Sequence, residues 1–202
     1  MVNASTLFFT KNQPIFMLGA SKEVDLPPND LTEFIFIGRS NVGKSSLINS
    51  ITNSKIALVS KTPGRTKQLN FFQVANKIAI VDAPGYGYAK ANKKEVENWN
   101  DLIFKYLLKR KNLKRVFLLI DSRHGIKEND EQMMLILDNS GILYQIILTK
   151  IDEIKDTDLN LRIKEIEKVF KEHTALFGET LFASSRSGVG IEQIRDTIYS
   201  LT

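Results

Sequence analysis

Eight residues from Gly38 to Ser45 read Gly-Arg-Ser-Asn-Val-Gly-Lys-Ser. Their spacing is G-x-x-x-x-G-K-[ST], for which chance predicts about 0.007 occurrences in a chain of this composition. Gly38 and Gly43 let backbone N–H groups turn inward around phosphate oxygens, with Arg39, Ser40, Asn41 and Val42 supplying the rest of the cradle. A helix opening at Lys44 favours negative charge at its N-terminus. Lys44 can reach the β- and γ-phosphates of a nucleotide, and the Ser45 hydroxyl can ligate Mg²⁺.

Two further motifs follow in order. Asp82-Ala83-Pro84-Gly85 matches D-x-x-G, a weak pattern with about 0.6 chance occurrences, and Asp138 to Gly141 matches it too. Position separates them. Asp82 ends an apolar run, where its carboxylate can sit beside Mg²⁺ and the Gly85 N–H can contact a γ-phosphate. Asp138 falls at the end of a helical pattern, in a turn. Thr149-Lys150-Ile151-Asp152 matches [NT]-K-x-D, with about 0.14 chance occurrences. The Asp152 carboxylate can accept from guanine's ring N–H and exocyclic amine, a donor pair that adenine lacks. Lys150 can lie along the base. Ser184 and Ser185, in a small-residue turn after the last apolar run, can offer backbone N–H groups to the guanine oxygen.

Between the first two motifs lies Lys61-Thr62-Pro63-Gly64-Arg65-Thr66-Lys67. If the surrounding motifs are those of a nucleotide switch, which they resemble, a loop here carries a Thr that ligates Mg²⁺ and senses the γ-phosphate. Thr62 and Thr66 are both candidates. Thr66, just before the strand that starts near Leu69, is the better placed.

These residues need elements that hold them at one edge. Phe34–Ile37 is a short apolar run ending at Gly38, a buried strand, and a helix follows from Lys44 to about Thr52. Leu69–Val74 and Lys77–Val81 read as a hairpin joined at Ala75-Asn76. Val116–Ile120, Ile146–Leu148 and Thr180–Ala183 read as further strands. Helical patterns cover Val96–Leu108, Glu128–Leu137, Leu159–Phe170 and Ile191–Leu201. Alternation of this kind implies an α/β fold of three layers: a mostly parallel sheet with one antiparallel strand, and helices on both faces. Residues 1–30 end in the loop signal Pro27-Pro28-Asn29-Asp30 and are set apart as an extension, leaving 31–202 as one domain.

The chain has 202 residues, no Cys and two His, which excludes thiolate zinc sites, iron–sulfur clusters and Cys nucleophiles. No run approaches a membrane span, and no signal or transit pattern opens the chain, so a cytoplasmic protein that binds no membrane is expected. The net charge of +5 fits either a solvated surface or a polyanionic partner. Lys105, Lys109, Arg110, Lys111, Lys114 and Arg115 concentrate six of these charges. They read either as a solvated helix end or as a contact to the phosphates of a polyanionic partner.

Together the motifs resemble the Ras-like (TRAFAC) P-loop GTPases. More narrowly, Gly38–Ser46, Thr62–Thr66, Asn70–Phe72, Asp82–Ala89 and Thr149–Asp152 resemble the EngB (YsxC/YihA) ribosome-assembly GTPases over about residues 25–200. The resemblance implies six strands and five helices. It implies GTP and GDP as ligands, Mg²⁺ held by Ser45, Thr66 and, through water, Asp82, and nucleotide contacts from Gly64 and Arg65. It also implies a monomer that serves assembly of the large ribosomal subunit through contacts to rRNA and ribosomal proteins. Ala83 stands where Leu is commoner, and Ser184-Ser185 replaces a Ser-Ala pair. Lys44 and Thr66 are the expected catalytic residues. Asn41 resembles a P-loop Asn that helps hold K⁺ in some relatives, which would aid hydrolysis; the other reading is that it only caps the loop.

Tyr86 stands where Ras-type proteins carry the Gln that orients the attacking water, so slow intrinsic hydrolysis is expected. Arg39 and Arg65 read as surface or rRNA-facing groups rather than internal fingers. The alternatives are a GTP-dependent RNA-binding module with negligible hydrolysis and a GTPase switch for a non-ribosomal process.

Overall fold

The computed structural model describes residues 3–59, 68–87 and 93–202, with the backbone alone for 93–100. In chain order the elements are α1 (Ala4–Lys11), β1 (Ile15–Ala20), β2 (Thr32–Gly38), α2 (Lys44–Thr52), β3 (Leu69–Val74), β4 (Ile78–Asp82), α3 (Lys93–Lys109), β5 (Leu113–Asp121), α4 (Glu128–Asn139), β6 (Tyr144–Thr149), α5 (Asp156–Glu172), β7 (Leu181–Ala183) and α6 (Ile191–Ser200). The seven strands form one sheet in the order β1-β3-β4-β2-β5-β6-β7. Only β3 runs against its neighbours, pairing antiparallel with both β1 and β4.

Both faces of the sheet are covered, which is why its central strands are continuous apolar runs. Side chains alternate across a strand. Phe34, Phe36 and Phe117 therefore face α1, α2 and α6, meeting Phe9, Ile48 and Ile194. Ile35, Ile37, Val116 and Leu118 face α3, α4 and α5, meeting Tyr106, Met134 and Ile166. Among the described residues no helix is long and apolar enough to cross a membrane.

The expected six strands are all present, and the N-terminal segment adds a seventh together with α1. Apolar residues Leu7–Phe9 lie in α1 and Ile15–Leu18 in β1. Phe9 is fully buried against α6, and Ser5 hydrogen-bonds Asp196. β1 reads Ile-Phe-Met-Leu-Gly-Ala, without the polar alternation that marks a half-exposed strand, and carries a bulge between Phe16 and Leu18.

The basic segment at the end of α3 is not a uniformly solvated helix end. Arg110 is buried in an ion pair with Glu33, and its guanidinium also donates to the Pro27 carbonyl at 2.7 Å. Tyr106 donates to the same Glu33 at 2.6 Å. Arg115 is buried over the Phe177 ring, 4.6 Å from its centroid. Lys105 pairs with Asp101 and Lys109 with Glu23. Lys111 and Lys114 are exposed and have no ion pair among the described residues.

Candidate functional site

Parallel β2, β4, β5 and β6 all point the same way, so Gly38, Asp82, Asp121 and Thr149 end at one edge of the sheet. This is where ligands bind in open α/β sheets. The loop from Gly38 to Lys44 turns there into α2. Gly43, at φ 101°, occupies backbone space that a side chain strains to adopt, and Asn41 holds φ 66°.

Lys44 and Ser45, in the first turn of α2, converge on Asp82 at the end of β4. The Lys44 ammonium is buried in an ion pair with one carboxylate oxygen, and the Ser45 hydroxyl donates to the other at 3.0 Å. The three side chains expected to meet phosphates and metal thus share one place. The segment after Asp82 is zipped to the phosphate loop. Tyr86 N donates to Gly38 O at 3.2 Å, Ser40 N to Tyr86 O at 3.0 Å, and Ser40 Oγ to Gly85 O at 3.2 Å. A Cβ on Gly85 would lie 2.8 Å from the Ser40 Cα, so only glycine permits this approach.

Tyr86 is not a free loop residue. Its ring packs in the core beside α4, and its hydroxyl donates to Asp130 at 2.7 Å. Burial, with the Asp130 carboxylate beside it, holds the phenol well above its ordinary pKa. Burial also raises Asp130, which closes the first turn of α4 through Lys127 N at 3.0 Å and lies 4.0 Å from Arg39.

The Thr149–Asp152 segment sits across the Gly38–Ser45 loop. Thr149 Oγ1 donates to Val42 O at 2.7 Å, and Lys150 Nζ to Asn41 O at 2.6 Å. Asp152 lies in a single 3₁₀ turn, Ile151–Glu153, and its exposed carboxylate has no hydrogen bond or ion pair among the described residues. After β7, Ser184 is fully buried and its Oγ accepts from Arg186 N at 3.2 Å and Ser187 N at 3.0 Å. Ser184 therefore shapes the turn with its side chain, and the exposed Ser185 lies beside it. Thr62, Gly64, Arg65 and Thr66 lie outside the described residues.

Sequence reasoning missed Asp121, Arg123 and Asp130. Asp121 carried a usable signal, since it ends an apolar strand as Asp82 does. Burial would raise its carboxyl, but hydrogen bonds from Arg123 and Lys150 outweigh this and hold its pKa at about 2. Asp138 is held in place structurally, accepting from Ala175 N at 2.8 Å and contacting His173.

Known proteins are similar to this chain in sequence and in fold. Residues 33–150 match the family model described as "50S ribosome-binding GTPase". The chain is 49% identical over 179 residues to "Probable GTP-binding protein EngB" of Bradyrhizobium diazoefficiens, covering 87% of this chain and 82% of the relative. It is 43% identical over 202 residues to the protein of the same name from Caulobacter vibrioides, covering 99% and 87%. A crystal structure of a GTP-binding protein named engB superposes with a TM-score of 0.67 at 26% identity, covering 84% of this chain and 97% of that one.

Proposed function

The chain belongs to the EngB family of GTP-binding proteins, with a GTPase domain, and from that premise we propose that it is a slow GTP-hydrolysing switch in assembly of the large ribosomal subunit. The observation that carries this reading is the convergence of Lys44 and Ser45 on Asp82 beneath the phosphate loop. Asp152, in the 3₁₀ turn after β6 and without a partner among the described residues, adds the guanine-reading group. The ribosomal partner is supported by the description of the matching family model and by the net charge of +5, which suits rRNA.

Under this reading, Gly38 to Ser45 cradle the phosphates, with Lys44 on the β- and γ-oxygens and Gly64, Arg65 and Gly85 beside them. Asp152 and Lys150 hold the base, with Thr149 and the Ser184-Ser185 turn shaping the pocket. Mg²⁺ suits the residues present. The Ser45 hydroxyl and the Asp82 carboxylate are hard oxygen donors already adjacent at 3.0 Å. Mg²⁺ needs only one or two such protein ligands beside phosphates and water. Ser45 and Thr66 would hold it directly and Asp82 through water, and it would neutralise charge on the phosphates. Thr66 and Gly85 would sense the γ-phosphate, so that its loss releases their loops and changes affinity for the ribosome.

A slow intrinsic rate is supported by Tyr86, whose hydroxyl is engaged with Asp130. The exposed Asn41 side chain, with no hydrogen bond among the described residues, is the proposed ligand for a K⁺ ion that would stabilise transition-state charge. The chain would act as a cytoplasmic monomer.

Co-sedimentation with purified large ribosomal subunits tests the switch. The chain is expected to pellet with them when loaded with a non-hydrolysable GTP analogue and to stay in solution with GDP. Equal pelleting in both states sinks the switch, and none in either sinks the ribosomal partner. The burial of Tyr86 favours one second reading, a GTP-dependent RNA-binding module. Single-turnover hydrolysis that remains undetectable with large subunits present would favour it.

A further inference from the structure

We propose that Asp121 and Arg123, outside every recognised motif, are positioning residues that hold the base-reading segment Lys150–Glu153 for guanine. The inference rests on the nucleotide reading above.

Asp121 is the last residue of β5 and pairs in register with Thr149 at the end of β6. Its Oδ2 accepts from Lys150 Nζ at 2.8 Å. Arg123 grips the same carboxylate with two guanidinium nitrogens, Nε to Oδ1 at 2.9 Å and NH2 to Oδ2 at 2.8 Å. Its third nitrogen, NH1, donates to Glu153 at 2.6 Å. Asp152, which carries the chemistry, is thus bracketed. Lys150 two residues before it and Glu153 one residue after it are both tied to the end of β5.

Within the segment one backbone bond, Glu153 N to Lys150 O at 2.9 Å, closes the 3₁₀ turn, and it leaves the side chains of Lys150 and Asp152 to be held from outside. Asp152 has no partner among the described residues. Lys150 sits at φ 58°, a left-handed conformation that a side-chain-bearing residue keeps only when its surroundings fix it. Lys150 also crosses the phosphate loop. Its Cε lies 3.6 Å from where a Cβ on Gly43 would stand, and its ammonium reaches Asn41 O. Asp121 fixes the ammonium on the other side. With the carboxylate removed, Lys150 keeps a single acceptor and Arg123 loses the partner that aims it at Glu153.

A purely structural role for Asp121 predicts something different. Its carboxylate also accepts from Arg123 N at 3.1 Å, and its carbonyl from His124 N and Gly125 N, both at 3.0 Å. If closing this turn were its whole task, replacement would lower stability without changing how the base is read.

The test uses the full chain and titrates GDP and IDP by displacement of a fluorescent GDP. IDP lacks the exocyclic amine, so the GDP-to-IDP affinity ratio reports how well Asp152 is aimed. Asp121→Asn is expected to weaken GDP binding about tenfold and to shrink that ratio several-fold, because a misaimed carboxylate no longer rewards the second donor. Arg123→Gln, at a partly exposed position, should move both in the same direction by less. Lys150→Met on top of Asp121→Asn should cost less than Lys150→Met alone, since the two act as one unit. An unchanged GDP-to-IDP ratio in both single variants, or costs that add in full, overturns the inference. If Asp121→Asn does not fold, the ratio measured in Arg123→Gln decides alone. A wild-type chain that binds neither nucleotide overturns the nucleotide reading along with this one. A wild type that binds, with unshifted variants, overturns only this one.

Discussion

Asp152 offers two acceptor oxygens to solvent in the 3₁₀ turn after β6, and on the proposed reading guanine selectivity depends on that pair. Asp152→Asn replaces one acceptor with a donor, so it should shift preference from GTP to XTP, whose second carbonyl matches the amide. Competition between the two nucleotides measures this, and undiminished GTP preference would remove Asp152 from the base site. Acid provides a second check at this scale. The pKa of Asp121 is about 2 in the fold and about 3.9 in an unfolded chain, a difference of about 2 to 3 kcal/mol. The depressed value means this stabilisation is complete above about pH 4 and is lost as pH falls toward 2. Asp121 should therefore add no slope to stability between pH 6 and 8. Below pH 4, wild type should lose stability more steeply than Asp121→Asn in denaturant melts.

At the scale of elements, the segment after Asp82 is held to α4 by the bond from Tyr86 to Asp130. Tyr86→Phe keeps the ring and removes the donor to a buried carboxylate. It should cost about 1.5 to 3 kcal/mol, read as a lower midpoint in thermal melts. An unchanged midpoint would mean that the bond contributes nothing. The N-terminal helix makes a comparable test. Phe9 is fully buried against α6 and lies 6.0 Å from the Arg195 guanidinium. Arg195 in turn holds the Ser50 and Ile51 carbonyls at the end of α2, at 2.9 and 2.8 Å. Phe9→Ala should therefore destabilise by about 3 to 5 kcal/mol. A loss under 1 kcal/mol would show that α1 is dispensable to the body it packs on.

Charge and ion dependence belong to the whole molecule. The net charge is +5, yet four of the six cations in the Lys105–Arg115 segment are buried or paired. Replacing Lys111 and Lys114 with Gln should reduce the salt dependence of ribosome binding by a log–log slope of about 2 at most. A larger change would mean that the paired lysines are also recruited. For catalysis, turnover measured in K⁺ should exceed that in Na⁺ if Asn41 holds a cation beside the phosphates. Equal rates would remove that ion from the mechanism.

Chemistry carried by contiguous residues was legible before any fold was known. The Gly38–Ser45 loop, the Asp82–Gly85 turn and the Thr149–Asp152 segment each depend on local spacing, and the strands before them are apolar because both faces of the sheet are buried. Local sequence alone determined these parts, because neighbouring residues suffice to specify a turn and a buried strand. It could not place β1, whose residues show no polar alternation and whose pairing carries a bulge. It also could not tell that Arg110 and Arg115 turn inward while Lys111 and Lys114 stay in solvent, since a positive charge reads the same either way until its partners are known. Only the tertiary structure decided that Tyr86 belongs to Asp130, 44 residues away, and that Asp121 and Arg123 hold the loop around Asp152. Such contacts join distant residues across a sheet edge, and no local pattern encodes which side chains the edge will bring together.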